Sequence, residues 1–462
     1  IAEGILTARG GATSHAAVVA RQIGKPCVAG CAELTVDYAT KTASSVNSGI
    51  TFKEGDWISL DGGTGEVFEG ALATVSADYD EQDDLKTVLG WADEVRRMGV
   101  WTNADKPEEA LRARSYGAEG IGLCRTEHMF REGDRLEIVR GAILVANQAT
   151  RAKAKAASGE ALSADEQEAV ATFDAAMAKL EVLQQGDFEG IFEAMKGLPV
   201  VVRLIDPPLH EFLPNLEETL VEVTEAGDAA TPEQRELLAI VQSMHEQNPM
   251  LGLRGVRLGL MIPDFVKIQT RAILNAQVAV NKRGGDAIAK IKIPLVGHVN
   301  ELSRVRGLLE AEADKIAEAS GVTLDYKFGT MIEIPRGALT ADEIAEEASF
   351  FSFGTNDLTQ MAFAYSRDYA EGGFLLKYVE EKVLPVNPFQ TIDASGVGQL
   401  VEIEVQKGRA TRTDIELVVC GEHGGDPESI FFFESVGLDY VSCSPFRVPV
   451  ARLAAAQAVL ED

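Results

Sequence analysis

The sequence is short of cysteine, short of positive charge and free of long apolar runs. Five cysteines among 462 residues are a sparse, odd set, which predicts a reducing cytoplasm rather than a disulfide framework. The net charge of -29, from 43 basic and 72 acidic residues, excludes attraction of nucleic acid or anionic membrane through bulk charge. Neither a membrane-spanning run of about eighteen apolar residues nor a signal peptide is found, so nothing supports membrane insertion or export.

The phosphate-binding pattern G-x-x-x-x-G-K-[ST] of nucleotide-binding domains is also missing. The sequence starts at Ile1 without an initiator methionine and reaches the glycine pair Gly10-Gly11 almost at once. That leaves no room for the upstream part of a domain, so we expect a fragment of a longer chain.

A histidine near the start is a candidate phosphate carrier. Thr13, Ser14 and His15 follow the glycine pair and precede a helix-like run over residues 16–24. Thr13 or Ser14 can cap this helix, which puts the imidazole in the first turn, where the helix dipole favours a neutral, nucleophilic ring and a bound anion. The alternative is that His15 is an ordinary polar residue of a first helical turn.

Three regions follow one another along the chain. Residues 1–72 combine short strands with glycine turns and predict a small, partial α/β domain. Residues 73–97 are rich in acids and predict a solvated linker. Residues 98–462 alternate short apolar strands with helix-length segments, which is typical of βα units. The candidate strands are 100–103, 120–125, 200–204, 294–298, 330–334, 351–356, 417–422 and 440–444.

Eight such units predict a (β/α)8 TIM barrel with a helical insertion at about 141–195, in an α/β protein. Polar residues close several of these strands, and the active sites of barrels lie at that rim. The residues concerned are Arg125, Arg203, Glu333, Asn356-Asp357 and Cys420.

The charged rim residues predict a site for a small anion and a metal ion. Arg125 and Arg203, joined by Arg254, have the planar guanidinium that binds phosphate and carboxylate, although any one of them could instead form a structural salt bridge. Glu333 and Asp357 supply the oxygen ligands that Mg²⁺ prefers, although a lone carboxylate at a strand end can also cap a helix.

Two further features could act on a substrate. Residues Gly354, Thr355 and Asn356 lie where a strand turns toward a helix, so their backbone N–H groups can hold an anion. Cys420 follows the apolar run 415–419. It is either a packing residue or a proton donor at the polar rim.

With these residues assembled, the chain resembles the pyruvate phosphate dikinases, within the family of enzymes that use phosphoenolpyruvate and a phosphohistidine. The resemblance covers essentially the whole chain and is carried by six segments in the family's order. They are residues 4–15, 122–130, 203–210, 329–336, 353–360 and 420–425.

The resemblance implies a role for each matched residue. His15 is the phosphorylated histidine of a swivelling domain, Arg125 and Arg203 are phosphoryl clamps, and Glu333 and Asp357 are Mg²⁺ ligands. Residues 354–356 contact the substrate, Cys420 protonates the enolate carbon of pyruvate, and Thr13 is a regulatory phosphorylation site. The sequence departs from the family at Ala12 and Leu253, and the second change leaves any proton-transfer role of that loop open.

The resemblance also implies pyruvate and phosphoenolpyruvate as substrates, a homodimer formed through the barrel, and a missing N-terminal nucleotide-binding domain. Without that domain we expect only the half-reaction between phosphohistidine plus pyruvate and phosphoenolpyruvate plus histidine. Three alternatives stay open: a phosphoenolpyruvate synthase, an enzyme I of the sugar phosphotransferase system, and a non-catalytic dimerisation or regulatory fragment.

Overall fold

The computed structural model describes residues 3–11, 16–17, 20, 24–74, 79–131, 133–246 and 248–461. The sequence-predicted phosphate carrier His15, the regulatory candidate Thr13 and the departure at Ala12 lie outside these residues.

The described residues of the N-terminal part form three small sheets. Asp61 shapes the last of them, because its carboxylate accepts the backbone N–H groups of Gly63 and Thr64 at 2.8 and 3.1 Å and so closes the hairpin turn. The sheets are a parallel pair, β1 (Ile5–Leu6) with β2 (Cys27–Val28); an antiparallel sheet of β3 (Leu34–Asp37), β4 (Thr42–Ser45) and β5 (Thr51–Lys53); and a hairpin of β6 (Ile58–Asp61) and β7 (Glu66–Glu69).

The rest of the chain forms a closed barrel of eight parallel strands, as the sequence predicts. Each strand pairs with its neighbours in chain order, and the last pairs with the first, for example Tyr440 with Gly99. The strands are β8 (Gly99–Asn103), β9 (Ile121–Arg125), β10 (Pro199–Arg203), β11 (Ile288–Ile293), β12 (Tyr326–Ile332), β13 (Phe350–Phe353), β14 (Glu416–Val419) and β15 (Tyr440–Cys443).

One predicted strand was wrong. The structure places β11 at Ile288–Ile293, and the apolar segment 294–298 that the sequence favoured is the loop that follows it. Lys290 and Lys292 interrupt the apolar character of the true strand, yet both side chains are buried. Barrel strands are expected to be almost continuously apolar, so two lysines on the inward face hide the strand pattern in the sequence.

The barrel interior is packed in layers. Successive side chains of a strand point alternately to the helices and to the barrel axis. One axial cluster joins Trp101, Val201, Phe350, Val418 and Tyr440, with the rings of Trp101 and Tyr440 stacked at 3.8 Å between centroids. A second axial cluster, nearer the carboxyl ends of the strands, joins Leu123, Met331 and Cys420. The barrel is therefore a filled core with its site at one end.

Helices surround the barrel and enlarge it. They are α1 (Asp83–Val95), α2 (Pro107–Ser115), α3 (Thr126–Met129), α4 (Arg135–Ala157), α5 (Ala164–Ala194), α6 (Leu216–Ala226), α7 (Pro232–Met244), α8 (Gly255–Met261), α9 (Pro263–Lys282), α10 (Val299–Ser320), α11 (Pro335–Leu339), α12 (Ala341–Ala345), α13 (Thr355–Phe363), α14 (Arg367–Gly372), α15 (Leu375–Glu380), α16 (Val397–Thr411), α17 (Pro427–Ser435) and α18 (Val448–Glu461). Among them, none has the combination of length and apolar character that a membrane span requires, within the described part of the chain.

The predicted insertion is a pair of long helices, α4 and α5. A capping box starts α5: the Ser163 hydroxyl accepts the Glu166 backbone N–H, and the Glu166 carboxylate accepts that of Ser163. Helix α1 lies within the segment that the sequence predicts as a linker. Its Asp93 accepts hydrogen bonds from Arg452 of α18, so α1 is packed onto the barrel.

Candidate active site

A cavity of about 550 Å³ opens at the carboxyl ends of the barrel strands. Most of the residues that the sequence singled out line it together: Arg125, Arg203, Arg254, Glu333, Gly354, Asn356, Asp357 and Cys420. Among the predicted rim residues, all of which the structure describes, Thr355 is the exception, because it is fully buried behind the cavity wall. Residues up to 295 positions apart along the chain, from Arg125 to Cys420, thus meet at one site because the parallel strands all end on the same side.

Two of the arginines are held by a shared aspartate. Arg203 donates to Asp206 at 2.8 Å and also to Glu127, while Arg254 donates to both oxygens of Asp206 at 2.6 and 3.3 Å. Burial alone would lower the pKa of Arg203, but the charges of Asp206 and Glu127 outweigh it and the pKa is raised. Both arginines therefore take part in salt bridges, and these bridges fix their guanidinium groups at the cavity wall.

Arg125 has the longest salt bridge of the three arginines. It closes β9, its side chain is 22% exposed, and its nearest carboxylate is Asp105 at 3.7 Å. Asp105 is itself occupied, since it accepts from the Arg125 backbone N–H at 2.6 Å and contacts His128 Nδ1 at 2.7 Å. A guanidinium so weakly paired is available to an anion that enters the cavity.

The two acidic residues lie beside the arginines in the same cavity. Glu333 follows β12 and is fully buried; one carboxylate oxygen accepts the Leu295 backbone N–H at 2.7 Å and the other is unpartnered. Burial, and then the nearby charge of Asp357, raise the pKa of Glu333 well above its ordinary value. Asp357 lies in the first turn of α13 and is 3.4 Å from Arg254. A buried carboxylate with a free oxygen beside a second carboxylate needs a cation or a proton.

The turn after β13 supports this part of the cavity from behind. At Gly354 a Cβ would lie 2.5 Å from Glu333 Oε2, so only glycine lets the carboxylate come so close. The Thr355 hydroxyl contacts His423 Nδ1 at 2.7 Å, and the other ring nitrogen donates to the Pro388 carbonyl at 2.9 Å. Burial lowers the pKa of His423 to about 4, so the ring is neutral near pH 7 and serves to hold the turn.

Cys420 forms part of the cavity floor. It follows β14, is 2% exposed and belongs to the second axial cluster, with Leu123 and Met331. Its sulfur lies 3.1 Å from Ser352 Oγ and 3.5 Å from Lys292 Nζ, both inside the barrel. The predicted thiol at the rim therefore has a polar network behind it in addition to apolar packing.

Sequence reasoning missed three residues of this site. Asp206 lies in the segment 203–210 that carries the resemblance, but only the folded structure shows that it pairs with both Arg203 and Arg254. Lys292 and Ser352 lie inside the barrel. The available signal for Lys292 was a pair of lysines at alternate positions of an apolar run, which marks one strand face as polar.

Several polar atoms around the cavity are buried and unpartnered: Arg203 Nε, Asn356 Oδ1 and Glu333 Oε2. One is a donor and two are acceptors, and they lie at the carboxyl ends of β10, β12 and β13. Buried polar atoms without partners are unfavourable, so such a group of them is the mark of a site that a polar ligand completes.

A filled parallel barrel with a charged cavity at the carboxyl ends of its strands defines an enzyme of the (β/α)8 class. Family comparison agrees with the two parts of the fold: the PEP-binding domain of PEP-utilising enzymes matches residues 79–460, and their mobile domain matches residues 1–65. The chain belongs to the PEP-utilising enzymes, which confirms the resemblance found in the sequence.

Individual relatives are similar over the whole chain. A chloroplastic pyruvate, phosphate dikinase of Arabidopsis thaliana is 49% identical over 99% of this chain and 45% of its own length. The pyruvate, phosphate dikinase of Clostridium symbiosum is 48% identical over 100% of this chain and 49% of its own, and that of Rhizobium meliloti is 47% identical over 99% and 48%. The chain thus spans about half the length of the curated relatives it matches.

Proposed function

We propose that the chain transfers a phosphoryl group reversibly between a phosphohistidine at His15 and pyruvate, giving phosphoenolpyruvate. The observation that carries this proposal is the single cavity in which Arg125, Arg203, Glu333 and Cys420 meet. In the longer protein this would be the second half of the pyruvate, phosphate dikinase reaction, from ATP, phosphate and pyruvate to AMP, pyrophosphate and phosphoenolpyruvate. A nucleotide-binding domain would carry out the first half.

Glu333 and Asp357 are the residues that would hold Mg²⁺. The free, buried oxygen of Glu333 and its raised pKa beside Asp357 fit a cation between the two carboxylates. Two carboxylates suit Mg²⁺, which usually takes one or two of them and completes its shell with water and substrate oxygens. Bound there, Mg²⁺ would neutralise charge on the enolate and phosphoryl oxygens.

The chain's own residues divide the chemistry between them. Cys420, as thiolate, takes a proton from C3 of pyruvate; the C–H electron pair becomes the C2=C3 bond, and the carbonyl oxygen becomes the enolate oxygen. That oxygen attacks phosphorus and the O–P bond forms. The P–N bond to His15 breaks, its electron pair stays on that nitrogen, and a proton already held by the other ring nitrogen leaves the imidazole neutral. Arg125 and Arg203 neutralise the transferring oxygens, so most of the rate enhancement comes from positioning and electrostatics.

Delivery of the phosphoryl group would require the N-terminal part to reach the rim. Gly10 and Gly11 line a second cavity with Gln390, and Gln390 also lines a third cavity that contains Arg125. This supports a swivelling domain at 1–72 that moves on a linker within 73–97 and docks on a barrel at 98–462. Phosphorylation of Thr13 would place negative charge close to His15 and block it.

We further propose a homodimer formed through the barrel and a cytoplasmic location, where the buried thiols of Cys124, Cys420 and Cys443 stay reduced. The names of the relatives favour a dikinase over a phosphoenolpyruvate synthase or an enzyme I of the sugar phosphotransferase system. The assembled cavity argues against a non-catalytic fragment.

The test is phosphorylation by phosphoenolpyruvate. The purified chain is incubated with ³²P-labelled phosphoenolpyruvate and Mg²⁺, and acid-labile label is located by peptide mapping. We expect label on the wild type and none on His15→Ala. The control is His298→Asn, which keeps a capping side chain at the start of α10 and should label normally. A wild type that takes up no label would reject the proposal.

A further inference from the structure

Lys292 is a lysine buried completely inside the barrel, directly behind the cavity floor. Its Nζ donates to the Gly122 carbonyl at 3.0 Å and to Ser352 Oγ at 3.0 Å, and lies 3.5 Å from Cys420 Sγ. These three contacts use the three N–H donors of an ammonium group. Each donor of a protonated Lys292 would therefore have an acceptor here, in a place where lysine is almost never buried without a charged partner.

Only one of these partners can carry the opposite charge. The Gly122 carbonyl and the Ser352 hydroxyl stay neutral at working pH, whereas the Cys420 thiol can lose its proton. The sulfur is also the end of a hydrogen-bonded chain, because Ser352 Oγ accepts from Lys292 and donates to Cys420 Sγ at 3.1 Å. Two donors are thus directed at one sulfur, and both can stay hydrogen-bonded to it when it carries negative charge.

We propose that Lys292 is the positioning residue for Cys420: its ammonium group, with Ser352, holds the sulfur at the cavity floor and balances its charge whenever the proton is on C3 of the substrate. The inference rests on the proposed function, since it concerns the proton step of that reaction. In the step toward phosphoenolpyruvate the C3–H bond breaks and the S–H bond forms, and in the reverse step the thiol returns its proton to C3. Lys292 keeps its own protons throughout.

The charges that face Lys292 agree with this role. Burial lowers the pKa of Lys292, and Arg203 on β10 lowers it further, while Cys420 and, beyond it, Glu333 act in the opposite direction. Asp206, after β10, also interacts with the lysine charge. Among these groups Cys420, with its sulfur 3.5 Å from Nζ, is the contacting one that favours the ammonium form.

Lys290 provides a matched control on the same strand. It points into the barrel two residues earlier, is also buried, and forms a salt bridge with Glu416 while its Nζ lies 4.9 Å from the Trp101 ring centroid. It is thus a second interior lysine that already has its own carboxylate and is in another layer, away from the sulfur. A general effect of removing an interior lysine would appear when either Lys290 or Lys292 is replaced, whereas an effect through Cys420 would appear only when Lys292 is replaced.

The experiment measures the reactivity of Cys420 as a function of pH. The full chain is alkylated with iodoacetamide, and the rate at Cys420 is read by peptide mass spectrometry, which separates it from the other four cysteines. In Lys292→Met we expect alkylation at pH 7 to slow about tenfold or more and its pH profile to move upward, because a charge-assisted contact to the thiolate is lost. Lys290→Met should keep the wild-type profile.

A second readout follows the chemistry itself. Exchange of the C3 protons of pyruvate for deuterium in the presence of Mg²⁺ should lose about tenfold or more in kcat in Lys292→Met, with KM for pyruvate changed far less. If Lys292→Met does not fold, Lys292→Gln keeps two N–H donors but no charge and should show the same loss. A folded Lys292→Gln or Lys292→Met with the wild-type alkylation profile overturns the inference.

Failure of this inference is distinguishable from failure of the proposed function. A wild type that is labelled by phosphoenolpyruvate on His15, together with a Lys292 variant whose Cys420 behaves normally, rejects only the role of Lys292. A wild type that takes up no label rejects the proposed function, whatever the alkylation rates are.

Discussion

Replacing Glu333 by glutamine should make the metal-free protein more stable while removing its activity. The carboxylate of Glu333 is fully buried with one oxygen unpartnered, and burial followed by the charge of Asp357 raises its pKa well above the ordinary value. The folded chain therefore binds this proton more tightly than the unfolded chain does. The stabilisation is complete below the unfolded pKa and is lost as the pH rises through the folded value.

Glutamine is uncharged and has nearly the same shape, so it escapes this pH-dependent loss. Its amide nitrogen would also replace the unpartnered Oε2 with a donor that can reach the nearby Asp357, while its carbonyl oxygen can still accept from the Leu295 backbone N–H. The cost of leaving a buried polar group unsatisfied is about 1–3 kcal/mol, and more for a charged one. We expect Glu333→Gln to raise the free energy of unfolding by about that amount near pH 8, and by much less near pH 5.

The assay is urea unfolding at both pH values, with and without about 5 mM Mg²⁺, since a ligand that binds only the folded state stabilises it. Mg²⁺ should stabilise the wild type and not Glu333→Gln. The difference in free energy of unfolding between the two proteins should therefore shrink or change sign when the metal is added. Labelling by phosphoenolpyruvate should fall at least about 100-fold in the variant.

Glu404 supplies the control for this experiment. It is a second fully buried glutamate, on α16, with both oxygens unpartnered and a pKa raised by burial. Glu404→Gln should also stabilise the protein near neutral pH, yet leave the effect of Mg²⁺ and the labelling as in the wild type. If metal-free Glu333→Gln is less stable than the wild type at pH 8, the argument about a destabilising carboxylate pair is refuted.

Three further variants test other parts of the site. Gly354→Ala brings a Cβ to 2.5 Å from Glu333 Oε2, so it should lower the free energy of unfolding by about 1–3 kcal/mol and abolish labelling. The control is Gly186→Ala in α5, where the added Cβ meets open space and should raise the free energy of unfolding by about 0.5–1 kcal/mol. Urea titrations of both variants measure these changes. The pKa of His423 is lowered from 6.5 to about 4, so between these pH values the unfolded chain binds a proton that the folded chain does not. The free energy of unfolding should therefore fall by about 3 kcal/mol as the pH drops from 6.5 to 4. His423→Gln should remove this pH dependence from the unfolding curves. Cys420→Ala should stop exchange of the pyruvate C3 protons while phosphoenolpyruvate still binds in calorimetry, and unchanged exchange would exclude the thiol as the acid.

Much of the site could be predicted because its residues mark the ends of strands. Arg125, Arg203 and Cys420 each follow a short apolar run, and in a parallel barrel the ends of all such runs meet at one rim. That inference needs only the local pattern of each strand and the rule that parallel strands share a direction. It does not require knowledge of which strands are neighbours.

The interior of the barrel was not predictable in the same way. The lysines at 290 and 292 weakened the signal of β11, and the apolar segment after it was chosen instead. Whether a lysine on a strand is tolerated depends on partners contributed by other strands, such as Ser352 from β13 and the Gly122 carbonyl from β9. Those partners come together only through the register of the closed sheet.

The sequence by itself determined the class of fold, the rim on which the chemistry lies, and the identity of most side chains around the cavity. These follow from hydrophobic periodicity and from the residue types that phosphate and Mg²⁺ require. The tertiary structure alone decided how those side chains are used: that Asp206 holds two arginines, that Glu333 keeps a free oxygen against a glycine, and that a buried ammonium lies behind Cys420. Such pairings join residues far apart along the chain, and distances between them exist only once the barrel has closed.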